Sequence, residues 1–226
     1  MARDFDGSND RITFGQHASI ADFVQKSFAL WYVRDGTVGT ILAAKGSGAT
    51  SWVCNTLSNA NGNKISFFQL WSGTDIEETL GTSVNHSGVP SHIVVAYDGG
   101  AVGNHPLAYI DGVLVSNIVI TGPPTGSLTG DSAADLVIGE TVAGTLDLDG
   151  AVQYFTYANA IWGAAEANRH RWYGRPGGAV AVQHPLLTTK LTNEGTATAN
   201  GTATQTSVRS LPKGERCWGS MMGMGR

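Results

Sequence analysis

Apolar and polar positions alternate along most of the chain in short runs, and turn chemistry separates them. "SFALWYVRDG" (27–36) puts Phe28, Leu30 and Tyr32 on one face and Ala29, Trp31 and Val33 on the other, then stops at Asp35-Gly36. "TVGTILAAKG" (37–46) reads as its hairpin partner. "RITFG" (11–15), "SWVCNTL" (51–57), "KISFFQLWSG" (64–73), "ADLVIGE" (134–140) and "GAVQYFTYA" (150–158) read as further strands. "SHIVVAYDGG" (91–100) is the most apolar run and is expected at the centre of a sheet. "HPLAYIDGVLVS" (105–116) divides into two strands about Asp111-Gly112, a dipeptide that suits a two-residue hairpin turn because both positions need φ > 0. One helix is expected, "GAAEANRHRWYG" (163–174): Ala164, Ala165, Glu166 and Ala167 favour it, and the Gly-Pro-rich stretch 174–178 ends it. Nine or ten short strands with one late helix predict an all-β, two-sheet antiparallel sandwich.

Composition refines this picture. The chain has 226 residues, enough for one sizeable core with an appendage. Only 14% of residues are charged and 30 are Gly, as a turn-rich β protein requires. The texture changes after Gly178, where "GTATAN" (195–200) is followed by the near-repeat "GTATQT" (201–206), too poor in large apolar residues to build a core. The chain then ends with Trp218, Met221, Met222 and Met224, apolar residues suited to docking. The division is therefore a body over 1–178 and a C-terminal extension or assembly arm over 179–226. The body holds 9 Lys/Arg against 16 Asp/Glu, a balance of −7, and the extension 5 against 2, a balance of +3. A mildly basic arm on an acidic body fits self-assembly or docking on an acidic partner. The net charge of −4 predicts no general nucleic-acid affinity, and the absence of any run of about 18 apolar residues predicts no membrane insertion. The opening "MARDFDGSND" lacks the apolar core of a secretory signal. Cys54 and Cys217 are too few for a disulfide scaffold, though a bridge between them would pin the arm to the body.

Candidate chemistry is sparse. Asp147 and Asp149 lie on one strand face, and Asp131 and Asp135 lie in the loop before "LVIGE". Loops of such sandwiches can hold calcium, which takes six to eight oxygen ligands, so these four are the candidate metal ligands. Turn formation is the competing role for each of them. Trp52 and Trp71, beside Ser/Gly/Asn-rich loops, are the candidate exposed platforms for a sugar ring. The histidines (17, 86, 92, 105, 170 and 184) show no metal spacing, and His92 is expected to pack. Glycosidases need paired carboxylates facing one cleft. Glu77 and Glu78 are adjacent and would face opposite sides of a strand, and Glu140 and Glu166 are isolated, so hydrolysis is the weakest reading. No serine-hydrolase elbow or phosphate loop is present.

The order of the motifs carries a resemblance. "FDGSNDRITF", "FALWYVRDG", "HIVVAYDGG", "LAYIDGVLV", "LVIGE" and "LDGAVQYFTYANAIWGAAEANRHRWYG" follow one another as in laminin-G-like, concanavalin-A-like jelly rolls, over about residues 3–175. The chain departs from that pattern after Gly150, where Ala151-Val152-Gln153 replaces the frequent Ile-Asp. The opening "ARDFDGSNDRI" also resembles laminin-G-like proteins among phage structural genes. The resemblance implies a non-enzymatic structural protein of a phage particle, a capsid decoration or tail-associated component, located on the virion or otherwise extracellular. It would assemble with copies of itself and other virion proteins and adhere to surfaces or glycans. The alternative is a carbohydrate-binding module, with calcium as its candidate cofactor. A mainly turn-forming role is expected for Asp111.

Overall fold

The computed structural model describes residues 3–8, 10–36, 39–46, 51–57, 64–81, 89–140 and 147–173, together with the backbone of 182–184 and 202–204. The order of elements is β1 (Arg3–Asp6), β2 (Arg11–Gly15), a 3-10 turn (Ala18–Ile20), β3 (Gln25–Arg34), β4 (Thr40–Lys45), β5 (Trp52–Thr56), β6 (Ile65–Gln69), β7 (Ile76–Leu80), β8 (Ser91–Asp98), β9 (Leu107–Ile110), β10 (Val113–Val115), β11 (Asn117–Thr121), β12 (Leu136–Ile138), β13 (Asp149–Ala158), α1 (Ala164–Tyr173), β14 (Val182–His184) and β15 (Thr202–Thr204).

Two antiparallel sheets face each other. The first runs β1-β13-β3-β8-β9-β10, with β14 also on β13; the second runs β11-β7-β6-β5-β4-β12-β2-β15. This is the jelly-roll sandwich the pattern implied. As expected, β8 is central, paired on both sides and buried along nearly its whole length. The extension adds one short strand to each sheet, β14 on β13 and β15 on β2. Its remaining residues, including Cys217 and the apolar tip, lie outside the described residues, so the Cys54–Cys217 pairing does too. Cys54 itself is buried as a free thiol.

One local expectation is corrected. Residues 37–46 are not the hairpin partner of 27–36: β3 pairs with β8 and β13, whereas β4 sits in the opposite sheet between β5 and β12. Both edges of β3 are occupied, so the chain leaves Arg34 and crosses the sandwich. Asp35 and Gly36 donate their N–H groups to the Asp149 carbonyl (3.2 and 3.4 Å) instead of closing a tight turn.

The core fills from both inner faces: Phe28, Leu30 and Tyr32 of β3 and Ile93, Val95 and Tyr97 of β8 meet Trp52, Cys54, Ile65 and Phe67 of the second sheet. Strand β13 changes parity along its length. Val152 faces this core, and beyond a register shift so do Phe155 and Tyr157; Tyr154, between them, takes φ 54°. A bulge of this kind re-aims the side chains after it. It turns Thr156 and Ala158 outward, toward α1.

The helix covers the outer face of the first sheet. Trp162 and Ala167 close over Ala29, Val94, Tyr109 and Ala158. The β9–β10 turn is seated against it. Asp111 (φ 53°) and Gly112 (φ 82°) both adopt the left-handed conformation, and a Cβ on Gly112 would run into Asn168 of α1. Asp111 accepts the His92 N–H through Oδ1 (2.9 Å) and donates its own N–H to the His92 carbonyl (2.8 Å). This aspartate fastens a turn.

Candidate functional site

Three polar constellations stand out, two inside the molecule and one at its flank.

The first lies between the sheets. Lys45, fully buried at the end of β4, donates to Asp131 Oδ1 (2.6 Å) and to the Asp131 carbonyl (3.0 Å). Asp131 also accepts the Asp22 N–H (2.5 Å), and Asp22 Oδ1 accepts the N–H groups of Asp131 (2.6 Å) and Ser132 (3.0 Å). Nearby, Lys26 reaches inward from β3 to Gln69 Oε1 (2.6 Å). Burial lowers the Lys26 pKa to about 8, with the Asp131 charge opposing that shift. Lys45 and Asp22 pin the 130s loop to β4 and to the segment leading into β3.

The second lies under the helix. His92 Nε2 and His170 Nδ1 are 2.8 Å apart, and His170 Nε2 is 2.9 Å from Thr156 Oγ1. His92 also packs on Trp31, with ring centroids 5.2 Å apart. Burial drives both pKa values down, to about 2 for His92 and about 3 for His170, so both rings are neutral at pH 7. His92 Nδ1 is buried without a partner. A bare nitrogen lone pair is cheaper to bury than an orphan N–H, which assigns the proton of His92 to Nε2, donating to His170. The expected packing role of His92 is what the geometry supports.

The third is open. Glu78 of β7 shares the inward direction of Ile76 and Leu80, yet it is a carboxylate and fully buried. It accepts from Asn117 Nδ2 (2.8 Å) through one oxygen and pairs with His105 Nδ1 through the other. The His105 side chain is 54% exposed. His105 borders a surface depression of about 200 Å³ at the end of β8, lined by Ala96, Asp98, Asn104, His105, Leu107 and Ile161. Its apolar lining is Leu107, Ile161 and Ala96, the last almost fully buried. Asp98, Asn104 and His105 form a polar rim, in which Asp98 already accepts Gln25 Nε2 (3.1 Å) and the Gly100 N–H (2.9 Å).

Sequence reasoning located none of this third site. Glu78 read as one of two adjacent glutamates on opposite strand faces, which is correct, but nothing local shows that its face is the inner one. Trp172 of α1 is 53% exposed, with the Arg171 guanidinium 5.2 Å from its ring centre.

The residues the sequence did single out fall elsewhere. Trp52 is not an exposed platform: it is fully buried, stacked on Phe28 (5.3 Å) and tilted against Tyr157 (5.6 Å). Trp71 is likewise buried, and its Nε1 donates to Tyr97 Oη (3.2 Å). Trp52 follows a loop and Trp71 precedes one, but both point inward, so the loop composition beside them misleads. The four aspartates do not form one site. Asp131 and Asp135 lie at the Leu136 end of β12, where Asp131 is consumed by Lys45 and Asp135 supplies its carbonyl to Gly46 N–H (3.1 Å). Asp147 and Asp149 lie beyond the other end, past Gly139. There Asp147 neighbours Glu140, whose pKa is raised by burial and then by the Asp147 charge. Among the described residues, no three His, Cys, Asp or Glu side chains gather in a metal-binding group. Among the described residues, no helix is long and apolar enough to cross a membrane.

Comparison with known proteins agrees with this architecture. A protein from Bacteroides ovatus described as carbohydrate binding superposes with a TM-score of 0.63 at 14% identity, covering 93% of this chain and 60% of that one. A carbohydrate-binding module of a Ruminococcus gnavus sialidase, solved with α2,3-sialyllactose, gives 0.55 at 9% identity, covering 74% and 94%. A tailspike protein of an Escherichia coli O157:H7 bacteriophage gives 0.51 at 14% identity, covering 82% of this chain and 30% of the tailspike. At these identities the likeness is one of fold. No curated protein matches by sequence. The family model described as the Concanavalin A-like lectin/glucanases superfamily, of the laminin-G type, matches residues 6–166, most of the body, and the chain belongs to that family.

Proposed function

We propose that the chain is a non-enzymatic, lectin-like structural and adhesive module of a phage particle, as a capsid decoration or tail-associated component. Its jelly roll meets glycans at the particle surface, and copies of the chain pack with one another and with other virion proteins. The observation that carries the adhesive reading is the depression at the end of β8. It offers polar and apolar lining side by side. Such a site can hold a sugar by hydrogen bonds and apolar contact. The particle assignment is supported by the opening stretch "ARDFDGSNDRI" and by the occurrence of this fold in a phage tailspike.

The test is twofold. Gold-labelled antiserum against the chain should decorate intact phage particles in electron micrographs. The full chain should bind members of a printed glycan array while releasing no reducing sugar from them. Unlabelled particles would remove the virion assignment, and released sugar would replace adhesion with hydrolysis.

A further inference from the structure

We infer that the depression at the end of β8 binds a single neutral hexose unit, its ring lying on Leu107 and Ile161 and its hydroxyls meeting Asp98, Asn104 and His105. This rests on the glycan-binding reading above and gives it a site and a ligand class.

Size comes first. About 200 Å³ is below the roughly 300–1,000 Å³ of a pocket that encloses a drug-sized ligand, and it suits one sugar ring. Chemistry comes second. A pyranose presents one C–H face and an edge of hydroxyls, which matches apolar lining beside a rim of carboxylate, amide and imidazole. Charge comes third. No lysine or arginine lines the depression, and the Asp98 and Glu78 carboxylates stand at and behind its rim. An acidic sugar would meet like charge there, whereas a neutral one gives Asp98 a hydroxyl donor.

Glu78 provides the independent observation. A buried carboxylate is costly, and replacing such a group with an apolar residue is often neutral or stabilising. Its position between Ile76 and Leu80 would be filled by leucine if packing were its only role. What the glutamate does instead is accept from Asn117 Nδ2 (2.8 Å) and hold Nδ1 of the half-exposed His105 imidazole. Holding one ring nitrogen fixes the tautomer and direction of the other. Glu78 is thus a positioning residue for a surface imidazole.

Full-length chain should be screened on an array of neutral, sialylated and uronic-acid glycans, and the strongest neutral member titrated calorimetrically against Asp98→Asn and Leu107→Arg. Expected are preference for neutral members, affinity lowered at least tenfold in both variants, and melting temperatures close to that of the parent. For any variant that melts early, amide chemical shifts of the parent chain titrated with the same glycan decide the matter: they should centre on 96–107 and 161. Glu78→Gln should alter the imidazole 15N signature of His105 and weaken binding, whereas a purely structural Glu78 would change melting alone. Neutral-glycan binding retained within twofold in both variants, or shifts centred elsewhere, sinks this site while leaving glycan adhesion standing. Binding of acidic glycans alone does the same. No binding to any glycan sinks both.

Discussion

The Lys45–Asp131 pair and the Glu78–His105 pair are each a buried carboxylate facing a basic side chain, and they do opposite things. Asp131 has its charge matched by a fully buried ammonium and its oxygens further engaged by Asp22 N–H, and neither partner reaches solvent. Glu78 is just as buried, but its partner His105 is half in water and lines a depression. Burial of a charged group therefore does not identify a site in this protein. What separates fastening from function is whether the partner has anything left to offer outside the fold.

The sharpest way to break this contrast is Asp131→Ala. The variant leaves the Lys45 ammonium buried without its counter-charge and should lose about 3–5 kcal/mol of stability, measured by urea unfolding. A loss below about 1 kcal/mol would mean that water reaches Lys45 and that the pair is no fastening.

Acid sharpens it next. His92 and His170 have folded pKa values of about 2 and about 3, below the ordinary histidine value near 6.5. The unfolded chain therefore binds more protons below that value, so their contribution is complete above about pH 6.5 and is lost as pH falls toward 3. The slope approaches about 1.4 kcal/mol per pH unit for each ring. Melting scans from pH 7 to pH 4 should show this decline, and it should be shallower in His92→Gln. An unchanged slope in that variant would show that the pair under α1 does not govern acid stability.

Asp111→Ala gives the smallest effect. It removes the Oδ1 acceptor of His92 N–H and puts alanine at φ 53°, costing about 1–2 kcal/mol while leaving glycan affinity unchanged. Lost binding at parental stability would make Asp111 a ligand residue after all.

The strands of the sandwich were largely legible because alternation and Asp-Gly turns are local signals. β8 as the central strand, the β9–β10 hairpin and α1 all stand where the pattern puts them. β1, β7, with its adjacent glutamates, and β11 were not recognised as strands, and the bulge at Tyr154 shifts the alternation of β13 midway. The site was not legible. Ala96, His105 and Ile161 come from separate segments, and their proximity exists only after β8, the 99–106 loop and the chain entering α1 are packed together.

By itself the sequence determined the fold class and the family resemblance, because these depend on periodicity and motif order. Tertiary structure alone decided that β4 crosses to the opposite sheet, that Trp52 and Trp71 point inward, that four aspartates divide between the two ends of β12, and that Glu78 stands behind His105. A residue's neighbours in sequence fix which way it alternates. Which of the two faces becomes the interior, and what meets it there, is set by strands distant in the chain.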